Sequence, residues 1–235
     1  MPQKKPSIGL LGGSFNPVHI GHLRLCLEVL EQAGLDRVDL VPAYMPPHKD
    51  QAGILPFDLR LRMLQESIDG ISGLEVNPLE QDRPGPSYTL DTLKAYVQEY
   101  PGYELNFILG DMDLFTLPQW HRGEEIARLS NLLVIGRQGG HSQVGDFVSR
   151  FWKVEQESEK CWELETGRRI SFYSVPRLEI SSSMIRSRWL AGKSIDWLVP
   201  AEAESILANC SHEVSSIWEQ ESHSDQKSCK PASCR

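Results

Sequence analysis

The sequence predicts an α/β protein built on a doubly wound, mainly parallel sheet, with a small helical region at its C-terminal end. Three observations carry this. Short apolar runs alternate with segments of helical period, the pattern of a parallel sheet covered by helices. The intervening segments place their apolar residues on one face. A chain of 235 residues that is 40% hydrophobic and 24% charged can fill one full core without disulfide or metal staples.

The strands are expected at 8–11, 38–41, 105–109, 132–135 and 170–175, with a weaker one at 74–76. Between them, Leu23, Leu27 and Leu30 define one helical face, Phe57, Leu61, Leu64 and Ile68 a second, and Leu90, Leu93 and Val97 a third. The stretch 138–169 opens on Gly139 and Gly140 and mixes aromatics with charge; it predicts a helix packed by Phe147, Phe151 and Trp152, then a turn. The run SSSMIRSRWLAGK predicts a short helix that opens at the serines and stops at Gly192. From Asn209 onward the chain is Ser-rich, polar and aperiodic apart from Trp218, which predicts a disordered tail at 209–235 behind a single domain at 1–208.

The charge balance narrows the function. Thirty-two acidic against 24 basic residues give a net charge of −8, which argues against a surface for nucleic-acid backbones. Five cysteines without C-x-x-C spacing point to reduced thiols and a cytoplasmic protein. The apolar run behind Lys4 and Lys5 is too short for a signal peptide, and no stretch approaches the roughly 18 apolar residues of a membrane helix. No nucleic-acid or membrane partner is therefore expected, while a homo-oligomer stays open.

The stretch GLLGGSFNPVHIGHL lies where the first strand gives way to a helix. Its two glycines let a ligand approach the backbone closely, and the helix start offers unpaired N–H groups and a positive dipole end to an anion. It is neither a P-loop nor a G-x-G-x-x-G turn. The groups that could meet a phosphate are instead His19 and His22, at i and i+3, able to donate hydrogen bonds to oxygens on which charge develops. Taken alone, the pair could also cap the helix or bind metal, although no H-E-x-x-H pattern supplies a further ligand and base.

GGSFNPVHIGH resembles the signature of the nucleotidyltransferase superfamily, G-G-[ST]-F-[DN]-P-x-H-x-G-H, and its HIGH tetrapeptide is also similar to that of class I aminoacyl-tRNA synthetases. Four later blocks, LVPAYMPPHK, PSYTLDTL, FILGDMDLFTLPQWHR and EISSSMIRSR, follow in the order and spacing of bacterial nicotinate-nucleotide adenylyltransferases. The resemblance runs from about Ile8 to about Ala208. It implies a Rossmann-like nucleotidyltransferase fold and an enzyme of NAD biosynthesis. The reaction implied joins ATP and nicotinate mononucleotide into nicotinate adenine dinucleotide, releasing pyrophosphate. Mg²⁺ would be held mainly by the phosphates and not by protein side chains.

By motif, the resemblance implies that Gly12, Gly13, Ser14, Phe15 and Gly110 line the ATP site. His19 and His22 would hold its phosphates, and Ser182, Ser183 and Arg186 would grip the β- and γ-phosphates. His19, His22 and Arg186 are the implied catalytic residues. Asn16, His48, Lys49, Tyr88, Thr89, Asp111, Asp113 and Trp120 would meet the mononucleotide, with Trp120 stacked on the pyridine ring. The chemistry of these residue types agrees: an aromatic face suits a flat electron-poor ring, a helix start suits a carboxylate, and serines ahead of an arginine make an anion cradle.

The chain departs from the commonest family pattern in four places. Asn16 and Ser14 replace frequent Asp and Thr. Ala43 stands where Asn is often found. The loop acid of G-x-D is displaced to Asp111 or Asp113. Two other readings are an adenylyltransferase preferring nicotinamide mononucleotide and a non-catalytic sensor of NAD-type nucleotides; the sensor would not need His19, His22 and Arg186 together.

Overall fold

The computed structural model describes residues 5–47, 52–137, 139–176 and 178–228. The first apolar run forms β1 (Ser7–Gly13), which lies parallel between two neighbours and buries Ile8 and Leu10. A strand flanked on both sides and covered on both faces must be apolar throughout, which is why this run was legible. It feeds α1 (Ile20–Ala33), whose inner face carries Leu23, Cys26 and Val29. Then come β2 (Arg37–Pro42), α2 (Phe57–Ile68), β3 (Leu74–Val76) and α3 (Thr89–Glu99). On α3 the buried aromatic is Tyr96, and the expected Val97 is exposed. Tyr96 takes the inner position because its hydroxyl donates to the buried Asp39 carboxylate at 3.0 Å, a partner Val97 could not use.

The chain returns to the middle of the sheet as β4 (Glu104–Gly110), continues through α4 (Asp111–Thr116), two 3₁₀ turns and α5 (Ile126–Leu129), and pairs again as β5 (Asn131–Gly136). The segment expected to hold a helix and a turn contains α6 (His141–Phe151) and, beyond it, a hairpin of β6 (Val154–Ser158) and β7 (Cys161–Leu164). The hairpin pairs antiparallel with β8 (Arg169–Ser174). It escapes sequence reading because only Trp162 and Leu164 are buried in it; β6 is an acidic, exposed edge.

Among the described residues the strands form one sheet in the order β3-β2-β1-β4-β5-β8-β7-β6, parallel except for the added hairpin. Successive strands are added toward one edge from β1 to β3 and toward the other from β4 onward, so the order reverses between β1 and β4. Leu23, Val29, Met63 and Leu64 build the core on one face, and Leu90, Leu93, Ile126 and Val144 build it on the other. The doubly wound expectation is met, and the gap between β1 and β4 is the switch point where such sheets bind ligands.

Three helices close the chain: α7 (Ser182–Leu190), α8 (Ala201–Asn209) and α9 (Ser211–Ser228). Over 211–228 the expected disordered tail is corrected by α9, while 229–235 lie outside the described residues. Its polar composition hides two anchors four residues apart, Val214 and Trp218, both fully buried in the core that also holds Ile206 and Leu207. Among the described residues no helix is long and apolar enough to cross a membrane.

Candidate active site

Gly12 and Gly13 end β1 at the carboxyl edge of the sheet. A β-carbon on Gly12 would stand in open space, whereas one on Gly13 would lie 3.2 Å from the Phe15 ring. Phe15 turns back under the loop with φ of 45°, a conformation unfavourable for a non-glycine residue, and is held there by burial to 2% exposure. Its ring meets that of His22 edge-on, with centroids 5.0 Å apart.

His19 caps α1 and His22 sits one turn in; their rings stack at 3.6 Å between centroids and 20° between planes. The backbone N–H of His19 donates to Nδ1 of His22 at 3.2 Å. A neutral His22 must then carry its proton on Nε2, so the far nitrogen is the donor. His19 is 6% exposed, and burial pushes its pKa down from the ordinary 6.5 to about 4. At neutral pH it is an uncharged imidazole.

The loop is fixed from below. Asn16, expected to meet the mononucleotide, is 3% exposed, donates from Nδ2 to the Gly53 carbonyl at 2.7 Å and accepts from the Leu55 N–H at 3.0 Å. This side chain ties two loops together, because both ends of its amide match backbone groups that burial would otherwise leave unpaired. Arg60 does the same with a charge: at 1% exposure it donates to the carbonyls of Ser14 at 2.7 Å and Leu55 at 2.9 Å. Burial lowers its pKa to about 10, so it stays cationic. Sequence reasoning missed Arg60; its signal was an arginine on the apolar stripe of Phe57 and Leu64.

The last block lies directly against this loop. Ser181 caps α7 by accepting from the Met184 N–H, Ser182 Oγ donates to the Pro17 carbonyl at 2.9 Å, and Arg186 Nη1 donates to the Asn16 carbonyl at 2.9 Å. Arg186 Nη2 also donates to Ser183 Oγ at 3.2 Å. The starts of α1 and α7 therefore converge on the 16–17 loop, one carrying the two imidazoles and the other a mostly buried guanidinium. Two converging helix starts with these donors make a seat for an extended polyanion.

A cleft of about 570 Å³ adjoins it, walled by Gly21 and Leu25 of α1, the 110–112 turn, the end of β5 through Arg137, and Val175 and Leu178. Asp111 lines this cleft and accepts from the Met112 N–H at 2.8 Å. Asp113 folds back on the Gly110 amide; crowding by protein, and then Asp111, push its carboxyl above the ordinary range. The two acids, grouped with the mononucleotide residues in the sequence, thus separate, and Asp111 is the one in the cleft wall.

On the other face of β1, Thr89 at the start of α3 shares a small notch with Gly12, Glu80 and Phe107. The Tyr88 ring stacks on His121 at 4.2 Å, a partner sequence reasoning missed, and Trp120 meets Phe107 edge-on at 6.3 Å. Met45 and Ser87 are joined by two hydrogen bonds of 2.8 and 3.0 Å, so the loop that leads toward position 48 lies beside Tyr88. His48 and Lys49 themselves lie outside the described residues. Among the described residues no three His, Cys, Asp or Glu side chains converge as a metal cage.

A family model described as cytidylyltransferase-like matches residues 10–188. Fold and site thus define a nucleotidyltransferase of that family. Curated relatives from Pelobacter propionicus and Trichlorobacter lovleyi, each named a probable nicotinate-nucleotide adenylyltransferase, are 39% and 40% identical. The matches cover 85% of this chain in both cases, and 94% and 95% of the relatives. The chain belongs to the nicotinate-nucleotide adenylyltransferase family. Its fold matches that of the Plasmodium falciparum nicotinic acid mononucleotide adenylyltransferase solved with NaAD, at a TM-score of 0.68 and 18% identity over 90% of this chain and 98% of that one.

Proposed function

We propose that the protein transfers the adenylyl group of ATP to nicotinate mononucleotide, giving nicotinate adenine dinucleotide and pyrophosphate. The observation that carries this reading is that Arg186 and Ser182 of α7 bond the 16–17 loop leading into the stacked His19–His22 pair at the start of α1. The adenosine half of ATP fits the large cleft, where Leu25 and Ile135 offer apolar contact to the base and the Asp111 carboxylate can accept from a ribose hydroxyl. The triphosphate then runs across the two helix starts. The mononucleotide approaches from the α3 side, with Thr89 at the helix start for its carboxylate and Trp120 beside its ring. The resemblance adds His48 and Lys49.

In the reaction an oxygen of the mononucleotide phosphate attacks the α-phosphorus, a new P–O bond forms, and the bond to the α,β-bridging oxygen breaks with its electrons passing to pyrophosphate. No protein nucleophile is needed. Nε2–H of His22 and the Arg186 guanidinium donate to the oxygens that gain charge, and His19 stacked beneath His22 fixes the orientation of its ring. The donor set here is imidazole, hydroxyl and guanidinium, which suits phosphate oxygens and not a hard cation. Mg²⁺ is accordingly proposed to arrive on ATP, bound by its phosphates. We place the enzyme in the cytoplasm.

The test is dinucleotide formation from Mg-ATP with nicotinate and nicotinamide mononucleotides side by side. A strong preference for the nicotinate compound is expected. Preference for the nicotinamide compound overturns the acceptor, and no pyrophosphate from either overturns catalysis in favour of a sensor.

A further inference from the structure

The helix α7 that carries Arg186 is only nine residues long. A helix of that length does not hold itself in water, so its orientation is set by what packs on it. Its residues divide between two sides. Ser182 and Arg186, four apart, reach the 16–17 loop. Ile185 and Trp189, also four apart, turn to the core that contains α9.

The contact with α9 is specific. Trp189 Nε1 donates to Ser215 Oγ at 3.0 Å, and the Trp189 ring meets Trp218 edge-on, with centroids 5.9 Å apart and planes at 87°. Trp218 is fully buried, and among the described residues its Nε1 has no hydrogen-bond partner. Keeping an indole N–H dry and unpaired is costly, so the ring is retained there for its shape. The helix lies beyond residue 188, where the family match ends.

We propose that α9 is a clamp that sets the affinity for ATP: Trp218 and Ser215 hold Trp189, and Trp189 fixes the face of α7 on which Ser182 and Arg186 meet the phosphates. Trp218 and Trp189 are positioning residues and touch no substrate. The inference rests on the proposed phosphate-gripping role of Arg186, and it predicts a selective effect. Loosening the clamp displaces one wall of the triphosphate seat and leaves the α3 side intact.

The experiment compares full-length wild type, Trp218→Ala, Trp218→Phe and Ser215→Ala by calorimetric binding of Mg-ATP without acceptor, by steady-state kinetics for both substrates, and by thermal unfolding. Trp218→Ala is expected to raise the Kd and KM for ATP about tenfold with the mononucleotide KM within twofold of wild type. Trp218→Phe, which keeps a ring and sheds the unpaired N–H, restores most of the affinity. Ser215→Ala, which removes only the acceptor for Trp189, gives a two- to threefold rise in the same direction and decides the matter if Trp218→Ala does not fold. Unchanged ATP affinity in folded variants, or equal loss for both substrates, overturns the clamp. A wild type that binds ATP but forms no dinucleotide overturns the proposed reaction, and the calorimetric arm still judges the clamp.

Discussion

Arg186 donates to the backbone carbonyl of Asn16 at 2.9 Å across 170 positions of sequence, so the last motif of the chain is bolted to the first. The same guanidinium also bonds Ser183 Oγ, which leaves its fork oriented before any ligand arrives. Preorganised donors stabilise developing charge without rearranging at the moment of reaction.

Arg186→Lys keeps the charge but not the fork. A lysine ammonium cannot hold the Asn16 carbonyl and Ser183 while facing a phosphate, so kcat/KM for ATP should fall about 100-fold. Pyrophosphate release checks this, with thermal unfolding to verify that the variant is folded. Near-normal turnover in the lysine variant would remove Arg186 from the proposed machinery.

His22→Ala removes the Nε2 donor and should lower kcat by on the order of 100-fold, with His19→Ala similar in size. His19 adds a pH signature. Its folded pKa of about 4 lies below the ordinary 6.5, so between these values the unfolded chain binds more protons than the folded one. The His19 contribution to stability is therefore fully present above pH 6.5 and declines as pH falls toward 4, by on the order of 3 kcal/mol in total. Denaturant unfolding at pH 7.5 and 4.5 should show a smaller drop in His19→Asn than in wild type; an equal drop would refute the assignment.

Arg60→Met replaces a buried cation with an apolar side chain of similar reach and removes its hydrogen bonds to the Ser14 and Leu55 carbonyls. Losing charge-assisted bonds to one buried and one half-buried carbonyl should cost about 3 kcal/mol and loosen the loop that carries His19. Urea unfolding measures the first effect and the ATP KM the second. A stability change below about 0.5 kcal/mol would mean that Asn16, Ser182 and Arg186 hold the loop without Arg60.

The sequence was legible where burial is two-sided. Each principal apolar run became a parallel strand within about two residues, because a central strand admits few polar residues on either face. It was illegible where one or two anchors do the packing, as with Trp162 in the hairpin and Val214 and Trp218 in α9. The histidines and the Ser-Ser-Ser helix start could be read because their chemistry is local. The tasks of Asn16 and Arg60 could not, since both pair with backbone carbonyls or amides, and a backbone group leaves no mark on the sequence.

Gly123 sits where the 117–122 turn closes behind Trp120 and His121. A β-carbon there would lie 1.8 Å from the Leu117 carbonyl oxygen and 3.3 Å from the Trp120 β-carbon. Backbone cannot rotate aside as a side chain can, so Gly123→Ala must open the turn and shift the two rings it presents. The stack of His121 on Tyr88 and the edge contact of Trp120 with Phe107 would both be displaced. The α1 and α7 starts make no contact through this turn's hydrogen bonds, which run from the Trp120 N–H to Leu117 and from the Gly123 N–H to Trp120. The expected result is a mononucleotide KM raised about tenfold, an ATP KM within twofold of wild type, and a loss of stability of about 1–3 kcal/mol from the strain. Kinetics with each substrate varied in turn separate the two constants. A rise in the ATP constant alone would place Trp120 on the wrong substrate.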